Sequence, residues 1–229
     1  LLAKQAEIRE RYGIVFKVTG ISTGKHGTAI DPAGILLEQA LQVNDYSQLC
    51  RVAIPVDAFE FIRNCQADVL FENTPVNYMD GQPAIAHIQL ALERGMHALT
   101  ANKGPVVHAY RQLTDLAEKK QRKFFFESTV MDGAPIFSLY RVALPAARLL
   151  RLRGVLNSTT NMILTLMEKG RSFEEAVAYC QEIGIAETDP SGDIDGWDAA
   201  VKVAALVTVL METPLKPARV DRTGIREIT

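Results

Sequence analysis

From Ile14 to Glu127 short apolar runs alternate with helical periods, and this alternation limits the possible folds more than any other feature. Ile14–Ser22, IVFKVTGIS, is a strand candidate, and a glycine-containing loop over 23–28 follows it. Helical spacing covers 33–43 and 57–65, and ADVLFEN at 67–73 is a second clear strand. A helix over 83–94, stopped by Gly95, leads to a short strand at 97–101, and a helix over 104–120 leads to KFFFE at 123–127. Strands joined through helices pair in parallel with right-handed crossovers. Such sheets bind ligands beyond the carboxyl ends of their strands. The residues to inspect therefore follow each strand: Ser22, Thr74 and Pro75, Asn102 and Lys103, Ser128 and Thr129.

Past residue 129 the texture changes. A helix is expected over 135–142, a half-exposed strand over 149–156, where arginine alternates with apolar residues, and a helix over 159–169. Ser172 and Glu175 form a capping box for a helix through Ile183, and another helix runs from Gly196 to Glu212. The tail, 213–229, has no clear period. The expected organisation is a parallel α/β domain over 1–128 and an α+β domain over 129–229.

The chain has 229 residues, 48% of them hydrophobic, which is enough for two modest cores. A net charge of -2 favours neither nucleic acid nor an anionic membrane as partner. No apolar run reaches the roughly 18 residues of a membrane span. Three cysteines without CxxC spacing, Cys50, Cys65 and Cys180, suit a reducing compartment such as the cytoplasm. The histidines, His26, His87, His97 and His108, show no metal-ligand spacing. The first thirteen residues read as the back half of a helix closed by Gly13, not as a secretory leader.

Chemistry concentrates in Glu187–Lys202, ETDPSGDIDGWDAAVK. Five carboxylates fall within twelve residues and give way to an apolar helix carrying one lysine. A calcium loop starting at Ser191 would need a bidentate glutamate at its twelfth position, where Lys202 stands. A plainer reading is a solvated loop with Asp195 as N-cap of the next helix. Lys202 argues for more. Its neighbours are apolar almost all round the helix, and a lysine there is costly unless paired or used. Asp198, four residues earlier, shares its helix face. A desolvated ammonium is a better proton donor, although snorkelling and pairing with Asp198 would also satisfy it.

Two other segments stand at expected strand ends. Thr100-Ala-Asn-Lys-Gly-Pro105 follows a strand and opens a helix, with Pro105 suited to its first position and Lys103 at its mouth. Glu72-Asn-Thr-Pro75 places Thr74 where a hydroxyl could reach a phosphate or ribose. No GxGxxG occurs in the chain.

Taken together, Phe71–Pro75, Thr100–Pro105, Glu127–Val130 with Gly133 and Pro135, Gly154–Leu164, and Glu187–Lys202 resemble homoserine dehydrogenase, in that family's order. The resemblance implies a Rossmann-type NAD(P)-binding domain followed by a catalytic and dimerisation domain. It further implies reduction of L-aspartate 4-semialdehyde to L-homoserine with NADPH or NADH, and a homodimer. It assigns Lys202 as proton donor and Lys103 as the second lysine, near nicotinamide and substrate. Glu187, Asp193 and Asp198 would hold the substrate, and Thr74 the cofactor. A monovalent cation, Na+ or K+, would lie on the main-chain carbonyls of Glu127, Val130, Asp132 and Ala134, although Met131 and Asp132 replace the family's usual small residues. The family's first strand and glycine-rich loop would precede Leu1, and its C-terminal part would follow Thr229, so these residues alone are expected to bind dinucleotide poorly.

Near Ser22 no acidic residue is present to bind a ribose 2′-hydroxyl, while Lys25 could face a 2′-phosphate, which favours NADP. Two other readings stay open: a related oxidoreductase acting on another amino-acid semialdehyde, and a non-catalytic binding or regulatory remnant.

Overall fold

The structure is a computed structural model that describes residues 2–228. Leu1 and Thr229, the outer bounds of the two expected domains, lie outside the described residues. The chain forms two compact units. One comprises Leu1–Leu70, Ala86–Ala98 and Leu116–Arg122, and the other comprises Phe71–Ile85, Leu99–Asp115 and Lys123–Thr229.

Helix α1, Gln5–Tyr12, ends on Gly13, whose φ of 66° and N–H bond to the Arg9 carbonyl (3.0 Å) make the expected cap. The strand expected over 14–22 shrinks to β1, Gly20–Ser22, which pairs antiparallel with an unanticipated β2, Thr28–Ile30. Ile14 and Val15 are exposed and have no ladder partner among the described residues, so the apolar run alone does not make a strand. The turn closes locally: Thr23 N–H bonds the Gly27 carbonyl (3.0 Å), and the Thr23 hydroxyl accepts from His26 N–H (2.8 Å). Gly20 is required by close approach, because a Cβ there would lie 2.7 Å from both Cys65 Sγ and the Phe61 ring.

The helix expected over 33–43 is only α2, Leu37–Ala40. Upstream, Asp31 accepts from Ala33 N–H (2.9 Å) and Gly34 takes a φ of 110°, so turn chemistry holds the backbone out of the helix. Helix α3, Ala58–Asn64, is capped by the Asp57 carboxylate on Glu60 N–H (2.7 Å). The first unit's core is Ile30, Phe61, Ile62, Cys65, Ala91 and Met96, and a smaller cluster unites Ala29, Ile35 and Ala40.

Strands β3 (Val69–Glu72), β4 (His97–Thr100) and β5 (Phe124–Phe125) form a sheet in that order. Helix α4, Ala84–Glu93, joins the first two, and α5, Lys103–Lys119, joins the last two. These are the helical connections that parallel neighbours need. Helix α5 starts one residue earlier than expected, so Pro105 is its third residue, still within the turn whose N–H groups need no helical partner.

In the second unit, the Glu127 carboxylate caps α6, Ile136–Ala143, by accepting from Phe137 N–H (2.8 Å) and Ser138 N–H (3.1 Å). The strand expected over 149–156 is absent: Leu150 and Val155 are exposed, and no strand lies beside them among the described residues. Helices α7, Ser158–Glu168, and α8, Phe173–Glu182, pack around Ile163, Ala176 and Cys180, and the Ser172–Glu175 capping box is present. The acidic loop contains an unanticipated turn of helix, α9, Ser191–Ile194, and leads to α10, Trp197–Leu210. Gly196 (φ 78°), not Asp195, is the N-cap of α10. The Asp195 carboxylate instead accepts from Arg226 (2.5 and 3.2 Å), because the tail folds back onto the loop and Ile225 N–H bonds the Ile194 carbonyl (2.9 Å). Val201 and Leu206 of α10 are buried, each contributing about 1.5–3 kcal/mol.

Candidate active site

At the mouth of α5, side chains do what the main chain cannot. Asn102 accepts from Gly104 N–H (2.9 Å) through its Oδ1, satisfying one free donor of the first turn. Its amide donates to the carbonyls of Thr74 (3.0 Å) and Pro75 (3.3 Å), tying the loop after β3 to the helix that follows β4. Thr100 donates to the Glu72 carbonyl (2.8 Å) and carboxylate (3.0 Å) and accepts from Asn102 N–H (2.9 Å). The Thr74 N–H also bonds Glu72 (3.0 Å), and the Thr74 hydroxyl donates to the same carboxylate. With its proton committed, that hydroxyl faces any ligand as an acceptor. Lys103, the first residue of α5, is held in place by these bonds.

Helix α10 supplies the other half of the site. The Lys202 ammonium donates to the Leu156 carbonyl (2.7 Å) and pairs with Asp198 (2.8 Å). Lys103 reaches the other oxygen of Asp198 at 3.3 Å. Asp198 thus lies between two lysines, and all three side chains are less than a fifth exposed. Asn157 caps α7 with its Oδ1, which accepts from Thr160 N–H (2.8 Å). Its amide then bridges Asp193 (2.6 Å) and Asp198 (2.9 Å), holding two like charges together. Burial pushes the Asp198 carboxyl up, but the Lys202 hydrogen bond, the Lys103 charge and the Asn157 amide outweigh it and hold the group below the usual carboxylate range.

Beside these groups is a cleft of about 500 Å³, lined by Lys103, Val130, Asn157, Asn161 and Lys202 among others. The structure therefore brings Lys103, Lys202, Asp193 and Asp198 into one network. Glu187 is exposed, and its carbonyl accepts from Gln181 (3.2 Å). Ser22 and Lys25, in the first unit, are exposed, and the Ser22 hydroxyl is 2.9 Å from that of Thr28. Val130 lines the cleft and is buried, Asp132 is exposed, and the Ala134 carbonyl accepts from Ile136 N–H (2.9 Å). Among the described residues no three His, Cys, Asp or Glu side chains converge on a metal position, and no helix is long and apolar enough to cross a membrane.

A family model described as "Homoserine dehydrogenase, NAD binding domain" matches residues 18–127, and one described as "Homoserine dehydrogenase" matches 135–229. The homoserine dehydrogenase of Methanocaldococcus jannaschii is 39% identical over 222 residues, 93% of this chain and 65% of that protein. A crystal structure of a putative homoserine dehydrogenase from Archaeoglobus fulgidus superposes with a TM-score of 0.87 at 32% identity, over 100% of this chain and 68% of that one. The chain belongs to the homoserine dehydrogenase family. A hyperthermophilic archaeal homoserine dehydrogenase in complex with NADPH is also similar, with a TM-score of 0.79 at 29% identity over 98% of this chain and 70% of that one. The fold is accordingly α/β, with a parallel-sheet NAD-binding domain followed by the homoserine dehydrogenase catalytic domain. The chain spans from about a third to two thirds of the length of the curated relatives it matches.

Sequence reasoning missed the working role of Asn157. Its cap position was readable from the Ser-Thr-Thr that follows it, and a cap uses only the carbonyl oxygen, which leaves the amide for other partners. Asn102 carried a similar signal, directly before Lys103. No local pattern could have marked the Leu156 carbonyl that holds Lys202.

Proposed function

We propose that the protein containing this chain interconverts L-aspartate 4-semialdehyde and L-homoserine with NADP or NAD. The observation that carries this reading is the Lys103–Asp198–Lys202 arrangement beside the cleft. Two of the three N–H groups of Lys202 are spent on Leu156 and Asp198, and no further acceptor takes the third among the described residues. That third N–H is free for a substrate oxygen. When bound, the nicotinamide supplies or accepts the hydride. As negative charge grows on the aldehyde oxygen, the Lys202 ammonium stabilises it and then transfers its proton. Asp198 keeps both lysines oriented, and in this half-buried setting orientation by charge is strong. Asp193 and Glu187 attract the α-ammonium of the substrate.

In the second unit Lys103 and Thr74 would contact the cofactor at its nicotinamide end; in the first unit Ser22 and Lys25 are the candidates for a cofactor contact. The fit rests on Lys103, whose ammonium has N–H groups beyond the one directed at Asp198, and on the Thr74 acceptor at a strand's carboxyl end. The division at residue 128 into a cofactor-binding and a catalytic domain is supported by the extents of the two family matches. We also propose that the carbonyls of Glu127, Val130, Asp132 and Ala134 would hold a monovalent cation, and that the protein is a cytoplasmic homodimer. Exposed Leu139, Val142, Leu150 and Val155 support the dimer.

The test is a spectrophotometric assay of the full-length protein with L-homoserine and NADP+ or NAD+, beside Lys202→Ala. Reduced nicotinamide is expected to form in the wild type, and the substitution to cost about 10²–10⁴-fold in rate. No turnover with either cofactor overturns the assignment.

A further inference from the structure

Tyr78 stands in the loop between β3 and α4, which is fixed more firmly than its exposure requires. Asn77 accepts from Met79 N–H (2.9 Å) and donates to the Gln82 carbonyl (3.1 Å). Gly81, at a φ of 74°, packs so closely on Gly104 that a Cβ would lie 2.9 Å from the Gly104 carbonyl oxygen. His108 Nε2 is 3.0 Å from the Tyr78 carbonyl. A carbonyl only accepts, so Nε2 carries the proton. Nδ1 is then left to face the Lys216 ammonium at 3.4 Å.

The ring held by this loop reaches the acidic segment. A methyl on Gly192, the neighbour of Asp193 in α9, would be 3.8 Å from the Tyr78 hydroxyl. Tyr78 is half-buried, and its hydroxyl has no hydrogen-bond partner among the described residues. Burial, then the charges of Asp198, Asp193 and Glu187, raise its pKa. The phenol therefore stays protonated and can act as a donor.

An amino-acid substrate poses a problem at such a place. Carboxylates that attract its α-ammonium repel its α-carboxylate, which needs a nearby donor. The lone pairs of the phenol add little for an ammonium already facing carboxylates, whereas its O–H suits a carboxylate. We propose that the Tyr78 hydroxyl donates to the substrate's α-carboxylate and so makes the site selective for an amino acid over the amino alcohol that lacks this group. This rests on the homoserine dehydrogenase reading and names the residue that would read the substrate's head group.

The test uses full-length wild type and Tyr78→Phe at saturating NADP+ or NAD+. L-Homoserine is the substrate, and 3-aminopropan-1-ol, its decarboxylated analogue, is the competitive inhibitor. The KM for L-homoserine is expected to rise about tenfold or more, as for loss of a hydrogen bond to a charged group, with kcat within about twofold and the inhibition constant of the amino alcohol unchanged. An unchanged KM overturns the proposal, as does an equal weakening of both compounds, which would mean a structural role or an ammonium contact. If wild type does not oxidise L-homoserine, the parent reading fails and takes this one with it. If wild type is active and Tyr78→Phe behaves identically, only the Tyr78 proposal fails.

Discussion

Two polar regions of this molecule are built in opposite ways. The turn between β1 and β2, which carries Ser22 and Lys25, closes on itself: the contacts of Thr23 with His26 and Gly27 span three and four residues. The network of Leu156, Asn157, Asp193, Asp198 and Lys202 joins groups 36, 41 and 46 residues apart. The turn is exposed, so water replaces any contact that is lost. The network is half-buried, so a lost partner leaves a charge that water cannot fully reach. Chemistry that needs a fixed ammonium suits the second design, and adjustable recognition of a flexible ligand suits the first.

The sharpest way to break this comparison is removal of one polar group from each region. Asp198→Ala strands two half-buried lysines and is expected to cost about 3–5 kcal/mol, read from urea denaturation at pH 7. Ser22→Ala, in the turn, is expected to cost under about 0.5 kcal/mol. Equal losses would dissolve the distinction.

A pH series sharpens it further. The carboxyl of Asp198 is held below its unfolded value, so the unfolded state binds its proton first as pH falls. Its contribution to stability is complete above the unfolded pKa of about 3.9 and disappears as pH drops through the lower folded value. Urea midpoints should therefore fall more steeply below about pH 4 in wild type than in Asp198→Asn. Parallel curves would mean that the lysine pairing adds no net stability.

The smallest expected effect belongs to the turn. Lys25→Glu in the full-length protein should lower the NADP/NAD preference ratio by a few-fold, since an exposed charge acts through screened solvent. An unchanged ratio, measured as kcat/KM for each cofactor, would remove Lys25 from cofactor recognition.

Much of the fold was legible where a signal completes itself within a few residues. The Gly13 cap, the Ser172–Glu175 box, the i, i+4 pairing of Asp198 with Lys202, and the helix–strand alternation from 57 to 125 are all short-range. The two missing strands share one cause. The run at 14–19 and the Arg–Leu alternation at 149–156 look like strands, but a strand exists only when another strand pairs with it, and that partner is not written locally. Asp195 looked like a cap and is an anchor for Arg226, because the tail comes back from 31 residues away.

The sequence by itself determined which side chains could do chemistry: one lysine on an apolar helix, a lysine at a helix mouth, and a run of carboxylates. Tertiary structure decided which of them meet. Asn157 draws Asp193 to Asp198, Leu156 fixes Lys202, and Lys103 completes the pairing, while Glu187 stays exposed. The physical reason is range. Caps and periods arise from neighbours along the chain, whereas the burial that makes a charge pair strong comes only from packing distant segments together.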